Sequence, residues 1–217
     1  MLLLAPLHAR AACDGQPARE VMLRSLLRSL LLEGYAPAGS IVDSGANDGT
    51  ESCLYAETSP SRTVHAVEPL LANYQQLQRC VPSHPNLKPL HAGLGAVASW
   101  VQAPRRGTQV VSSHMRRRAS NRTSGPKFEV YRLDDLFGAT GPWREERLAL
   151  AHLDVEGFEA QVLAGGRAII ARDQPLITTE VMVHTKPHET LALLRLLDEM
   201  GYDSFLVEEV CGNPADC

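Results

Sequence analysis

Hydrophobic positions along this chain recur with two spacings, which predict helices and strands in alternation. Residues 17–33 spread apolar side chains over a broad helical face, begin with proline and are followed by Gly34, which predicts a buried first helix. Residues 187–200 form an amphipathic pattern that ends before Gly201 and predicts the last helix. Short apolar runs typical of strands lie at residues 41–43, 63–68, 87–91, 127–133, 148–153, 175–181 and 202–208.

Further helices are predicted after Thr50, near Pro69, and after residue 159 with a break at Gly165-Gly166. Strands that alternate with helices indicate an α/β fold, here a three-layer αβα, doubly wound and mostly parallel sheet of the Rossmann-like type. Pro89 lies inside the third strand, and proline is tolerated in a sheet only at an edge. The third strand is therefore predicted at the edge of the sheet.

The length of 217 residues suits one domain, which we place at residues 17–210. Residues 1–16 are predicted to be a leader or a disordered N-terminus, and residues 211–217 a C-terminal tail. A net charge of -4 and the absence of a long apolar stretch predict neither a nucleic-acid partner nor a membrane span. The oligomeric state stays open. A cytoplasmic location is the default, with the secretory pathway as the alternative.

The five cysteines contain no C-x-x-C pair, so the sequence predicts no zinc site. An odd number argues against a full disulfide framework. A bond between Cys211 and Cys217 stays open, and it would place the protein in an oxidising compartment.

Residues 41–50 predict a strand, a tight glycine turn and the start of a helix. Gly45 and Gly49 let the backbone turn sharply, and the free N–H groups at the start of the helix favour an anion. Asp43, at the end of the strand, would repel the pyrophosphate of a dinucleotide, and the glycine spacing differs from G-x-G-x-x-G. A ligand with an ammonium group would instead be attracted to Asp43.

Glu68 ends the next strand and follows Asp43 at about the 20-residue offset of acids that bind a ribose diol. S-adenosylmethionine combines an ammonium group, a carboxylate and a ribose diol. We therefore predict it as the cofactor, with a binding set that comprises Asp43, Gly45, Asn47, Gly49 and Glu68.

A second group of acids follows the buried strand at residues 148–153. In open α/β sheets ligands bind at the carboxyl ends of strands, so Asp154 is expected to face the same crevice as Asp43 and Glu68. The predicted catalytic residues, which would orient or deprotonate an acceptor, are Asp154, Glu156, Glu180 and His184. Alternatively, Asp154 caps the following helix and His184 has no role. No metal is predicted, although a cation bridging the three acids stays open. His65, His91 and His152 lie in strand patterns and are expected to be structural.

Residues 104–126 are rich in arginine, glycine, serine and threonine, and lack an apolar period. We predict a basic surface loop there, either a solvated insertion or a rim for an anionic acceptor.

Four segments together carry a resemblance to a known family, namely residues 42–49, 67–69, 133–136 and 153–166 with the step Asp154-Val155-Glu156-Gly157. The chain resembles the FkbM family of S-adenosylmethionine-dependent methyltransferases from about Ser40 to Glu208. The resemblance implies a class I methyltransferase fold and O-methylation, often of a sugar hydroxyl, so the expected partner is a small-molecule or glycan acceptor. Ser44 departs from the family pattern, which has Asp-Val-Gly at this step, and the arginine-rich loop lies outside it.

Two alternatives of other classes stay open at this point. A non-catalytic protein of the same fold would bind the cofactor without turnover. An NAD(P)-dependent oxidoreductase would also use Glu68, but Asp43 would repel the pyrophosphate of its dinucleotide cofactor.

Overall fold

The computed structural model describes residues 18–102, 126–181 and 187–205. Its helices are α1 (Ala18–Leu32), α2 (Thr50–Thr58), α3 (Leu71–Leu77), α4 (Leu133–Phe137), α5 (Glu159–Ala164), α6 (Arg167–Asp173) and α7 (Pro187–Glu199), with a short 3₁₀ helix at Gln78–Ser83. Its strands are β1 (Ser40–Ser44), β2 (Val64–Val67), β3 (Leu87–Leu90), β4 (Ala92–Leu94), β5 (Ser99–Gln102), β6 (Lys127–Tyr131), β7 (Leu148–Leu153) and β8 (Leu176–Thr179).

The main sheet has five parallel strands in the order β3-β2-β1-β7-β8. Strands β1 and β7 are buried along their whole length, which is why their sequences read as apolar runs. The strand order reverses beside β1, and ligands bind at such a switch point. Strand β3 lies at the edge, as Pro89 predicts.

Helices cover both faces of this sheet. Neighbouring residues of β1 point to opposite sides, so that Ile41 packs with Leu27 of α1 and Tyr55 of α2, while Val42 packs on the other side. The second side buries residues of α4, α5, α6 and α7, including Leu133, Leu163, Ile170 and Leu197. The predicted three-layer αβα architecture is confirmed.

A second sheet of three strands has the order β4-β6-β5, and pattern reasoning missed both β4 and β5. Strand β6 pairs in parallel with β4 and antiparallel with β5. The strand predicted at residues 127–133 is two residues shorter, because Leu133 begins α4.

The strand predicted at residues 202–208 is not formed within the residues that the structure describes. Residues 202–205 have no strand conformation, and residues 206–208 lie outside the described residues. The N–H of Tyr202 donates to the carbonyl of Leu197 at the end of α7 (2.9 Å), and its hydroxyl donates to the carbonyl of Pro175 (3.0 Å). These bonds hold Tyr202 against the end of α7 and against Pro175, the residue before β8.

Several sequence predictions fall where the structure is not described, namely the N-terminal leader, the basic loop except Pro126, His184, and the pair Cys211 and Cys217. Among the described cysteines, Cys53 and Cys80 form a disulfide that the sequence did not predict. None of the described helices is both long and apolar enough to cross a membrane.

Candidate active site

The glycine turn after β1 has the backbone conformation that its sequence requires. Gly45 and Gly49 have φ angles of 89° and 94°, in the left-handed region that glycine adopts without strain. The N–H groups of Gly45 and Ala46 both donate to the carbonyl of Val67 (3.0 and 3.1 Å). A Cβ at Gly45 would collide with the carbonyl oxygen of Asp154. The turn is therefore packed against the end of β7, which explains the glycine without reference to a ligand.

Asp43 lies beneath this turn and does not line the cleft. Its side chain is 1% exposed, and its carboxylate accepts the hydroxyl hydrogen of Ser52 in the first turn of α2. Burial raises the pKa of Asp43 to about 7, against the opposing effect of the Ser52 hydrogen bond. Asp43 thus anchors α2 to β1.

The start of α2 already has an anion of its own. The side-chain oxygen of Asp48 accepts hydrogen bonds from the N–H (3.1 Å) and the hydroxyl (2.7 Å) of Thr50. Asp48 therefore occupies the first N–H of the helix, one of the groups that were expected to favour an anion.

Glu68 lies at the end of β2 and faces the cleft. Its two carboxylate oxygens accept the N–H groups of Asn47 (2.9 Å) and Leu70 (2.7 Å), so the acid joins the glycine turn to the start of α3. Burial raises the pKa of Glu68 to about 7, although these hydrogen bonds and one from Asn73 oppose the shift. Each oxygen keeps acceptor capacity for a hydroxyl group.

The cleft has a cavity volume of about 120 Å³ and lies at the carboxyl ends of β1, β2, β4 and β7. Its polar and glycine lining comprises Ser44, Gly45, Asn47, Glu68, Asn73, Gly93, Asp154 and Glu156. Its apolar lining comprises Val67, Pro69, Leu70, Leu94, Phe128, Val155 and Phe158. Apolar walls with a few convergent polar groups are typical of cofactor sites.

Asp154 directly follows β7 and lines this cleft. The surrounding protein and the negative charge of Glu180 raise its pKa to about 6, while His152 opposes the shift. Glu156 also lines the cleft and has a φ of 54°, which is uncommon for a residue other than glycine. Backbone strain of this kind clusters at functional sites.

The buried side chain of Glu159 supports the loop that follows β7, at residues 154–158. Its Oε1 accepts the N–H groups of Val155 (3.2 Å) and Gly157 (3.0 Å). Sequence reasoning placed Glu159 in a motif without giving it a role. It missed Ser52 and Asn73 as well, since neither carries a pattern of its own.

The remaining predicted catalytic residues are Glu180 and His184. Glu180 follows β8 and does not line the cleft, but its charge acts on Asp154. His184 lies outside the described residues. Within the described part of the chain, the acids at 154, 156 and 180 do not form a cluster with donor atoms close enough for one cation; a cluster that does is Cys53, Cys80 and His84.

The three strand histidines make hydrogen bonds within the protein. The imidazole of His65 contacts Glu146 (2.9 Å), that of His91 contacts the carbonyl of Pro69 (3.1 Å), and that of His152 contacts the hydroxyl of Thr178 (2.9 Å). None of the three lines the cleft. Their expected structural role is consistent with these contacts.

A parallel sheet with a glycine turn after its central strand and an acid at the end of the next strand is the arrangement of a class I methyltransferase. The model of the methyltransferase FkbM domain matches residues 43–204, and the chain belongs to this family. S-adenosyl-L-methionine is the cofactor of such a domain. No curated protein matches the chain.

Solved structures of other methyltransferases resemble this fold. Methyltransferase FkbM from Methylobacillus flagellatus KT matches with a TM-score of 0.50 and 17% identity, over 74% of this chain and 37% of that one. A precorrin-6y methyltransferase from Geobacter metallireducens GS-15 matches with a TM-score of 0.46 and 12% identity, over 88% and 78%. Fibrillarin from Aeropyrum pernix, solved with natively bound S-adenosyl-L-methionine, matches with a TM-score of 0.45 and 14% identity, over 84% and 65%. The chain thus spans little more than a third of the FkbM structure.

Proposed function

We propose that this protein transfers a methyl group from S-adenosylmethionine to an oxygen acceptor, a hydroxyl group of a sugar or glycan. The observation that carries the proposal is the position of Asp154, an exposed acid that lines the cofactor cleft at the end of β7. Its pKa, raised to about 6, also suits a group that accepts a proton near neutral pH. An amine acceptor has less need of such a base, because a neutral amine is a stronger nucleophile than a neutral hydroxyl group.

The residues of the cleft fit the parts of the cofactor. Glu68 has acceptor capacity for a ribose diol, and the apolar walls formed by Leu94, Phe128 and Phe158 suit an adenine ring. When bound, the cofactor supplies a methyl group that its sulfonium already activates. Because Asp43 is buried away from the cleft, we assign it to holding α2 and the turn rather than to contact with the ammonium group.

The contribution of the chain is then mainly placement. Holding an acceptor oxygen in line with the methyl group can contribute roughly 7–11 kcal/mol, and a general base about 10²–10⁴-fold in rate. We assign the base or orienting role to Asp154, with Glu156 beside it in the cleft. Glu180 acts through its charge on Asp154, and His184 stays a candidate from the sequence.

The charge of the acceptor is a separate part of the proposal. The described cleft is rich in acids, which would repel an anionic sugar unless cations lay nearby. The arginines of residues 104–126 are the candidates for those cations. An acceptor with a uronic, phosphate or sulfate group stays a prediction from the sequence.

Methyl transfer to a panel of neutral, uronic, phosphorylated and sulfated sugars tests the proposal. S-adenosylhomocysteine formation gives the rate, and NMR of the product locates the methyl group. We expect Asp154→Asn to lower kcat by about 10²–10⁴-fold, because the amide cannot accept the proton. In the wild type, kcat/KM should rise with pH through about 6 as Asp154 loses its proton.

The control is Asp135→Asn, which changes an exposed acid of α4 outside the cleft and should leave the rate unchanged. Affinity for S-adenosylhomocysteine, measured by calorimetry, separates a loss of chemistry from a loss of cofactor. Undiminished turnover in Asp154→Asn would refute the role of Asp154, and a methyl group found on nitrogen or carbon would refute the acceptor class.

A further inference from the structure

A group of two cysteines and a histidine lies outside the cleft. Cys53 is on α2 and Cys80 is on the 3₁₀ helix that follows α3; the two are joined by a disulfide, and their Cα atoms are 6.3 Å apart. Nδ1 of His84 lies 3.3 Å from Sγ of Cys80. All three side chains are half-buried, so a small thiol reagent can reach them.

The histidine is placed to stabilise one of the two sulfurs as a thiolate. Nδ1 of His84 also lies 3.0 Å from the carbonyl oxygen of Cys80, which can only accept a hydrogen bond. That contact assigns the proton to Nδ1, whose N–H donates to this carbonyl and also lies within 3.3 Å of the Cys80 sulfur. An N–H donor beside a sulfur favours its thiolate, which makes Cys80 the better leaving group in thiol–disulfide exchange.

The disulfide argues against a resident metal ion in the oxidised protein. A metal-ligating sulfur must be a free thiolate, and the sulfurs of Cys53 and Cys80 are bonded to each other. The three residues otherwise lie close enough to ligate a cation. The geometry therefore favours exchange chemistry, and metal binding becomes an outcome that the experiment must separate.

The disulfide is also close to the cofactor turn. The N–H of Cys53 donates to the carbonyl of Gly49 (2.8 Å), and the preceding Ser52 holds Asp43. A Cβ at Gly49 would lie 2.8 Å from Cδ1 of Leu77, three residues before Cys80. The bond thus joins α2, which begins at the turn, to the 3₁₀ helix that directly follows α3.

We propose that Cys53–Cys80 is an exchange-active disulfide that a dithiol reductant opens, and that opening it weakens binding of the adenosyl cofactor. A thiolate of the reductant attacks Sγ of Cys53, which releases the Cys80 thiolate beside the His84 N–H. The second thiol of the reductant then attacks the mixed disulfide and releases Cys53. The reductant gives up two electrons and leaves as its own disulfide, while the protein gains two protons to form two thiols.

The coupling to cofactor rests on the methyltransferase site proposed above. With the bond closed, α2 and the 3₁₀ helix hold Gly49 against Leu77, so the turn is ordered before the ligand arrives. With the bond open, binding must also order these segments, which costs affinity. Coupling of this kind typically changes affinity by about 5-fold or more.

The first measurement is thiol exchange, which does not depend on the cofactor. In a background with Cys13, Cys211 and Cys217 changed to serine, the folded protein is equilibrated with reduced and oxidised dithiothreitol. Mass spectrometry after alkylation then counts the free thiols. We expect reversible conversion of both cysteines, and His84→Asn should slow reduction at pH 7 by roughly 3–10-fold.

The matched control is His188→Asn, at an exposed histidine on α7, which should reduce at the wild-type rate. A disulfide that opens only when the protein is unfolded would refute exchange activity. Reduced protein that retains one Zn²⁺ per chain after gel filtration, with both thiols protected from oxidation, would refute it in favour of a metal site.

The second measurement compares the affinity of the oxidised and reduced protein for S-adenosylhomocysteine. We expect the reduced form to bind about 5-fold or more weakly, and Cys53→Ser/Cys80→Ser to match the reduced form under both conditions. Equal affinities would refute the coupling while the methyltransferase site stood. A lack of binding in both forms would refute the cofactor site and the coupling together, and the thiol count would still decide the exchange chemistry.

Discussion

At the scale of single residues, the cleft region concentrates acids that are held in unfavourable surroundings. Asp43, Glu68 and Asp154 stand at the ends of the adjacent strands β1, β2 and β7. Burial raises the pKa of Asp43 and of Glu68, whereas Asp154 is exposed and has its pKa raised by the surrounding protein and the charge of Glu180. The charge of Asp43 also raises the pKa of Glu68. A cationic ligand relieves such repulsion, and S-adenosylmethionine carries a sulfonium and an ammonium group.

Asp43 makes the stability of the ligand-free protein depend on pH. Because its pKa is about 7 in the folded protein and near 4 in an unfolded chain, the folded state binds the proton more tightly. The free energy of unfolding from this group is then greatest below about pH 4 and falls as the pH rises through about 7. We expect Asp43→Asn, which cannot ionise and can still accept the Ser52 hydroxyl, to show a smaller loss of stability between pH 5 and pH 8.

Urea unfolding at a series of pH values measures this difference. Asp198→Asn, at an exposed acid on α7, serves as the control and should keep the wild-type dependence. Parallel profiles for Asp43→Asn and the wild type would mean that Asp43 is ionised throughout this range.

At the scale of elements, one turn joins three parts of the site. The Gly45 turn bonds to β2 through Val67, packs against the end of β7 at Asp154, and leads into α2 through Gly49. The loop after β7 is held in turn by Glu159. The two cofactor-facing loops therefore depend on each other's backbone positions.

Two glycine substitutions separate the stability cost of a strained φ angle from the cost of a steric collision of the new Cβ. Gly45 and Gly34 both have positive φ (89° and 77°), but a Cβ at Gly34 meets no atom within 4 Å. We expect Gly34→Ala to cost about 1–2 kcal/mol of stability from the φ angle alone. Gly45→Ala should cost more, and should also abolish binding of S-adenosylhomocysteine, because the turn and Asp154 must move apart.

Chemical denaturation gives both stabilities, and calorimetry gives the binding. Gly34→Ala should bind as the wild type does. If the two variants proved equally stable and both bound the ligand, the close packing of Gly45 against Asp154 would be wrong.

At the scale of the whole molecule, ligand selectivity reports on the site as a unit. A ligand at 100 times its Kd adds about 2.7 kcal/mol to the free energy of unfolding. At about 2–4 °C per kcal/mol for a domain of this size, Tm should rise by about 5–10 °C. We expect this rise with S-adenosylmethionine and S-adenosylhomocysteine, and no rise with NAD or NADP.

Glu68→Gln should weaken binding of both adenosyl ligands by about 10-fold or more, since the charged acceptor is lost. Its shift at the same ligand concentration should shrink accordingly. Glu57→Gln, at an exposed position on α2, should shift as the wild type does. A rise in Tm with the dinucleotides instead would show that the cleft has been assigned to the wrong cofactor.

The sequence alone determined the order of most helices and strands in the main sheet, the edge position of β3 and the glycine turn. These follow from local causes. Apolar periodicity decides which face is buried, proline restricts a strand to an edge, and a left-handed φ requires glycine. The acids at the ends of β1, β2 and β7 were also foreseeable, since parallel strands end at one edge of a sheet.

Only the tertiary structure decided how those residues meet. Asp43 lies away from the cleft and accepts a hydrogen bond from Ser52. Asn73 and Phe128 line the cleft. Cys53 lies next to Cys80 and His84. The tertiary structure also added β4 and β5, which are too short to show a pattern, to β6 in the small sheet. These contacts join residues far apart in the chain, so their geometry depends on how the layers pack and not on any local spacing.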